Sequence, residues 1–343
     1  MTDLIKPHKL NQGDTIGVFT PSTPAYIFNE ELFQNGINNL QRLGFNVKQG
    51  HLTKSRSTQG YRSASPQERA EEFMNLIMDS DVKALIPTIG GYNSSSLIPY
   101  LNFEQIKHSK KIICGYSDIT SLHMAILHYS GLKTFYGPMV MTWFGEYPYG
   151  VPESIDSFLT AVTNNSVQER NLTPFTRWSN DMRNWENGDW KNLPRKWEEH
   201  NGWNLLSEGT VQSEIVIANL NTLSGIAGTD FFPNLEDKIL IIEEMDIPFP
   251  RVERSLRQLS LMGVFEKING LIFGRPEVIN LESAQFSLDN LILEVVGNRS
   301  YPIISDFDCS HTVPMITLQQ RSKMKINAQN SNIEIKILEN YVE

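Results

Sequence analysis

Cysteine is nearly absent: the 343 residues carry two, Cys114 and Cys309, and no CxxC pair. That excludes a disulfide framework and a cysteine-based zinc site. Long apolar runs are missing as well. No stretch of about 18 apolar residues occurs, so no transmembrane helix is expected. The N-terminal "MTDLIKPHKLNQGD" has no apolar core of signal-peptide length. Excess positive charge is absent too. The formal net charge is −9, which argues against a nucleic acid polymer or an anionic membrane as partner. A single nucleotide held by stacking and local amides is compatible with that charge. No internal repeat, heptad array or low-complexity tract is present. The expectation is a cytoplasmic globular protein. Its 40% hydrophobic and 20% charged residues suffice for a sizeable core, and its length favours two domains.

What is present alternates. Up to about residue 165, "TIGVFTPS", "FNVKQG", "VKALIPTIGG" and "KIICGY" read as short buried strands. Between them lie helical patterns. "NEELFQNGINNLQRLG" is amphipathic and closes at Gly44. "SPQERAEEFMNLIMDS" starts with Ser65 as N-cap, Pro66 at the first position and Glu68 completing a capping box. Such alternation predicts an α/β fold with a parallel sheet, whose ligands gather at the carboxyl ends of the strands. From 166 to 209 the chain is polar and holds five of the six tryptophans, among them Trp178, Trp185, Trp190, Trp197 and Trp203, with no clear element. A loop so long is usually functional or disordered, and this tryptophan content argues against disorder. From 210 to 343 strand-like runs return ("VQSEIVIANL", "KILIIEE", "GLIFGRP", "YPIISDF", "MKINAQN", "IEIKILENY"), interrupted by helical patterns, and predict a second, mixed α/β domain.

Four places invite chemistry. In "KIICGYSDIT", Ser117 sits where a strand hands over to a helix. Such a turn can expose a nucleophilic hydroxyl beside the next amide, that of Asp118. The pattern is not G-x-S-x-G, and a serine here is also an ordinary helix cap. Gly90 and Gly91 follow the strand before it and can bring amides close to a ligand, or simply make a tight turn. Among the histidines, His123 and His128 read as helix-surface or packing residues, and His8, His51, His108 and His200 sit in polar contexts without evident partners. His311 in "ISDFDCSHTVPMITL" lies in a loop after an apolar strand, as a catalytic base or a structural histidine. Glu243 and Glu244 end the apolar run "KILIIEE". Adjacent strand residues face opposite ways, so one of them can orient a histidine. The plain alternative is one acid in solvent and the other paired with Arg251 or Arg254.

Together, "CGYSDIT", "ILIIEEMDIPFPRVERSL" and "FDCSHTVPMITL" resemble the LD-carboxypeptidase family of serine peptidases, most of all its microcin C immunity subtype. "GDTIGVF", "YRSASPQERAEEF", "PTIGGYNSSSLIPYL", "FYGPM" and "IANLNTLSGI" extend the likeness from about residue 10 to the C-terminus. The resemblance implies a Ser-Glu-His triad of Ser117, Glu243 and His311, with Gly91 and Asp118 amides as oxyanion hole. It also implies an N-terminal Rossmann-like domain (1–165), a C-terminal domain with a partly open β-barrel (210–343), a homodimer, and no metal or cofactor. Family members often read Glu-Asp-x-x-Glu where this chain has "EEMDIP", so the acid at the second of those places is missing.

The family's subtypes differ in substrate. Typical members release terminal D-alanine from murein tetrapeptide. The immunity subtype cuts the amide between an aminoacyl or peptidyl carboxyl group and a modified adenylate. "RWSNDMRNW" resembles the subtype's loop and matches Trp185 to its adenine-stacking tryptophan, which favours a small-molecule adenylate substrate. Gly90, Asn219 and Asn221 fall at substrate-side positions, while Arg62 and Arg251 are candidate anion binders that the sequence does not place. A nicotinamide-dependent oxidoreductase is disfavoured, because "GVFTPSTPA" stands where G-x-G-x-x-G is needed. A binding protein that has lost turnover is disfavoured by the complete Ser, Glu and His set.

Overall fold

A computed structural model describes residues 4–166, 169–181, 183–245, 248–277, 281 and 284–343. The fold is mixed α/β around two main sheets. The first has six strands in the order Leu318–Gln319, Phe135–Tyr136, Ile112–Gly115, Val82–Pro87, Thr15–Phe19, Asn46–Gln49. Five of them are parallel, and Leu318–Gln319 is antiparallel to Phe135–Tyr136. The parallel strands are joined by helices, as the alternation predicts. The helix Glu30–Arg42 is capped by Asn29, and Pro66–Met78 carries the expected Ser65–Glu68 capping box.

The second sheet has eight strands, with Gly209–Asn219, Ile239–Glu243, Gly270–Gly274 and Ile303–Phe307 running parallel at its centre. The hairpin Lys323–Gln329 and Asn332–Ile337 extends one side, and Arg170–Leu172 and Asn204–Ser207 form the edges. Ile239–Glu243 and Gly270–Gly274 are buried on both faces, as is the second half of Gly209–Asn219, which is why these stretches read as apolar runs. Ile215, Ile217, Ile239 and Ile241 join the core shared with the first sheet. Their neighbours Val216, Ala218, Leu240 and Ile242 pack in a second core with the helices Phe249–Leu261 and Leu288–Val296. The first sheet thus borrows its outer strand, Leu318–Gln319, from the C-terminal part of the chain. The ends of the two sheets are fastened together at the site described next.

The tryptophan-rich stretch has elements that its sequence does not reveal. Arg177–Trp178 pairs with Glu198–Glu199, and Asp189–Asn192 is a short helix. Ser179 exchanges backbone hydrogen bonds with Val313 at 2.7 and 3.1 Å, so this segment is bonded to the loop of His311. Among the described residues, no helix is long and apolar enough to cross a membrane.

Candidate active site

Tyr116 follows the strand Ile112–Gly115, and Ser117 then adopts φ 62°. This left-handed conformation is costly for a residue with a Cβ. A short 3-10 turn, Ser117–Ile119, leads into the helix Thr120–Ser130. Neither element has a side-chain cap, so Ser117 is not the helix cap that its position allows. Instead it is half-buried and lines a cavity of about 1000 Å³.

The neighbouring strand, Val82–Pro87, delivers Gly90 and Gly91 to the same cavity. The Asp118 carboxylate fastens this loop to the turn, accepting from the Asn93 and Ser94 amides at 3.1 and 3.0 Å. Burial holds the Asp118 carboxyl above its ordinary value, although bonds from Ser94, Ser22 and Asn93 oppose the shift. Below the loop, buried Arg69 gathers Ala64 O, Pro21 O, Asn93 Oδ1 and Ser96 Oγ at 2.5–3.0 Å. Gly91 has φ +150°, and a Cβ there would run into Ser22 Oγ and Thr23 Oγ1. Gly91→Ala should therefore displace the loop and its amide. The expected result is a kcat lower by about 10²- to 10³-fold with the fold intact; wild-type kcat in this variant would remove Gly91 from the site.

The second sheet supplies the acids. Asn219 and Glu243 are register partners at adjacent strand ends. Glu243 is fully buried, and its Oε2 accepts from His311 Nδ1 at 2.5 Å. Its Oε1 accepts from Tyr136 Oη at 2.6 Å and Asn219 Nδ2 at 3.2 Å. The His311 loop crosses directly over Gly274, where a Cβ would strike Cys309 O and lie 2.8 Å from Glu243 Cβ. Burial lowers the His311 imidazole, but the charge and hydrogen bond of Glu243, with Glu277 and Glu244 beyond, reverse this and raise it above its ordinary value.

Glu244 corrects two expectations. Neither acid is in solvent or paired with Arg251 or Arg254; Glu244 is 2% exposed. Nor do the acids face apart. The strand ends at Glu243, and Glu244 turns back to accept from Asn219 Nδ2, the Asn221 amide and the Met245 amide at 2.9–3.1 Å. Burial, then the charge of Glu243, pushes its carboxyl up to about 7. Asp246 and Ile247 of "EEMDIP" lie outside the described residues.

Ser117, Gly90, Gly91, Asp118, Asn219, Asn221, Trp185 and His311 all line the one cavity, with Glu243 behind His311. Arg62 and Arg251 do not line it; Arg62 bonds Gln59 and Arg251 is exposed on its helix. The cavity's arginines are Arg183 and Arg195, both bonded to Glu146. Their sequence separation from Glu146 gives no local signal. His200 has a partner after all: buried, it meets Asp308 Oδ1 at 2.8 Å, and Trp203 Nε1 donates to Asp308 Oδ2 at 2.9 Å. His123 is a packing residue, 2.9 Å from Gly115 O and pushed down to about 4 by burial.

Four of the five tryptophans are engaged elsewhere. Arg275 stacks on Trp178 and Arg177 on Trp197, at 4.2 and 4.0 Å, while Trp190 and Trp203 are buried. Trp185 faces the cavity, anchored by Asn29 Nδ2 donating to its carbonyl at 2.6 Å.

This two-sheet α/β architecture is that of a serine-peptidase-type hydrolase. The chain belongs to the LD-carboxypeptidase family: the N-terminal domain of that family matches residues 16–137 and its C-terminal domain residues 212–326. It is 37% identical to the microcin C7 self-immunity protein MccF of Escherichia coli, over 94% of this chain and 93% of that protein. A putative carboxypeptidase of Vibrio cholerae is 36% identical over 95% and 96% of the two chains. A probable murein peptide carboxypeptidase of Bacillus subtilis is 28% identical over 94% and 91%. The structure of MccF in complex with aspartyl sulfamoyl adenosine superposes with TM-score 0.92 at 36% identity, covering 99% of this chain and 100% of that one. MccF in complex with glutamyl sulfamoyl guanosine gives 0.92 at 35% identity, covering 98% and 99%.

Proposed function

We propose that this protein hydrolyses the amide between an aminoacyl or peptidyl carboxyl group and a modified adenylate, using Ser117, Glu243 and His311. The observation that carries the adenylate is Trp185. Of the five tryptophans in its segment, it is the one lining the cavity with Ser117 and His311. The ligands of the two MccF complexes, aspartyl sulfamoyl adenosine and glutamyl sulfamoyl guanosine, have a base to stack and an acyl group to cut.

The residues divide the work as follows. His311, held by Glu243 with Nδ1–H inward, presents its other ring nitrogen as base. It takes the Ser117 proton as Oγ attacks the acyl carbon. Amides of Gly91 and Asp118 receive the oxyanion. The carbon–nitrogen bond breaks, and His311 gives its proton to the leaving nitrogen. Water, deprotonated by His311, then attacks the acyl-serine, and the proton returns to Ser117 Oγ. On this reading residues 1–165 carry the nucleophile, 166–209 the substrate loop, and 210–343 the acid and base. The eight-stranded sheet is then the partly open barrel of the family.

Stacking a base on an aromatic face contributes about 1–3 kcal/mol. Trp185→Ala should therefore raise KM for an aminoacyl sulfamoyl adenosine roughly 5- to 150-fold and leave kcat nearly unchanged. An unchanged KM would return Trp185 to a packing role.

The relatives named as carboxypeptidases support a second reading, release of D-alanine from murein tetrapeptide by the same residues. It needs no base-stacking group, so Trp185→Ala should not alter its KM.

A further inference from the structure

Tyr136, in the motif "FYGPM", has no part in the reaction as written above. It is fully buried in a two-residue strand of the first sheet, and its phenol oxygen stands between two parts of the site. It accepts from the Ser117 amide at 3.1 Å and donates to Glu243 Oε1 at 2.6 Å. The polarity is consistent, because a phenol has one proton to give and lone pairs to receive. We infer that Tyr136 is a positioning residue that ties the Ser117 turn to Glu243 across the two sheets and sets the basicity of His311. This inference rests on the Ser117–Glu243–His311 reading.

At φ 62° the Ser117 amide points into the protein, where an unpaired N–H is costly; the phenol satisfies it and holds the turn. On the other side, a donor on Oε1 draws charge from the carboxylate and weakens its grip on an imidazolium at Oε2. Removing the hydroxyl makes Glu243 a stronger partner, so the protonated form of His311 is favoured and its pKa rises. His311 acts as a base only when neutral, so the acid limb of kcat/KM moves to higher pH.

The surrounding groups do not mask this. His311 faces Glu243, Glu244 and Glu277, with the Tyr116 ring at 4.7 Å. Tyr136 faces Cys309 and the His123 ring. Burial holds Tyr116 and Cys309 protonated and His123 neutral. Tyr136 itself stays protonated, raised by burial and by the charge of Glu243. Glu244, at about 7, titrates in the working range, so the comparison is repeated on a Glu244→Gln background.

The test compares wild type, Tyr136→Phe and a fluorotyrosine at position 136, with aspartyl sulfamoyl adenosine for kinetics and NMR for the His311 imidazole titration. One hydrogen bond to a charged group corresponds to about one pKa unit. Tyr136→Phe should raise both the His311 pKa and the acid limb by about that much, and lower kcat about tenfold with KM unchanged. Fluorotyrosine, a stronger donor that keeps the shape, should move the titration the other way. A packing control, Phe135→Leu, should lower the melting temperature without moving the limb. Wild-type titration in both Tyr136 variants overturns the inference. If Ser117→Ala still turns over at the wild-type rate, the triad reading itself falls; if it is inactive and the titrations are unmoved, this inference alone falls.

Discussion

Ser117→Ala is expected to lower turnover of an aminoacyl sulfamoyl adenosine by roughly 10³- to 10⁶-fold, to the level left by binding and the oxyanion hole. The fold should be unaffected. The Ser117 side chain caps neither the 3-10 turn nor the helix behind it, and the turn is held by the backbone bond to Tyr136 and by the Asp118 clamp. Alanine fits the same φ of 62° no worse than serine. An inactive variant with an unchanged melting temperature and unchanged affinity for a non-hydrolysed nucleotide is the expected combination. Substantial turnover with the methyl in place would require another nucleophile, and neither cysteine offers one. Both thiols are fully buried, and burial raises each far above its ordinary value.

Glu243→Gln has the second largest expected effect, roughly 10⁴ in kcat. The change keeps the shape and alters one group, so the hydrogen bonds decide the outcome. Oε1 accepts from Asn219 and Tyr136, and Oε2 accepts from His311. Glutamine must turn its NH₂ toward one side. Asn219 Nδ2 is a donor that cannot reverse, so the NH₂ turns toward His311 Nδ1. That nitrogen must then accept, the ring proton moves to Nε2, and the base is lost toward Ser117. KM should stay near wild type, because Glu243 lies behind His311 and not in the cavity wall. An NMR spectrum of this variant should report the reversed imidazole tautomer. Retention of the Nδ1–H tautomer together with full activity would show that Glu243 does not orient His311.

Much of this site is legible in the sequence because its parts sit at strand ends. Turn-forming residues after apolar runs mark Gly90, Gly91 and Ser117, and two acids close the run "KILIIEE". Where the reading went astray, the physics is non-local. Strand alternation sets Glu244 apart from Glu243, but alternation stops where the strand stops. His200 finds Asp308, and Glu146 finds Arg183 and Arg195, across distances that leave no periodic trace. Tyr136 lies in a strand of two residues, too short for any pattern, and the same sheet takes Leu318–Gln319 from the other end of the chain. The tryptophans look alike in sequence; their neighbours decide that Trp178 and Trp197 carry arginines while Trp185 meets the cavity.

Ser117 is proposed to cleave the acyl bond of an adenylate held on Trp185. The most direct test incubates the purified protein and its Ser117→Ala variant with aspartyl sulfamoyl adenosine and, separately, with murein tetrapeptide, and identifies products by mass spectrometry. Free aspartate and sulfamoyl adenosine are expected from the wild type alone, with the tetrapeptide left intact. Release of D-alanine with the adenylate untouched would rule out adenylate cleavage and make this a cell-wall peptide carboxypeptidase.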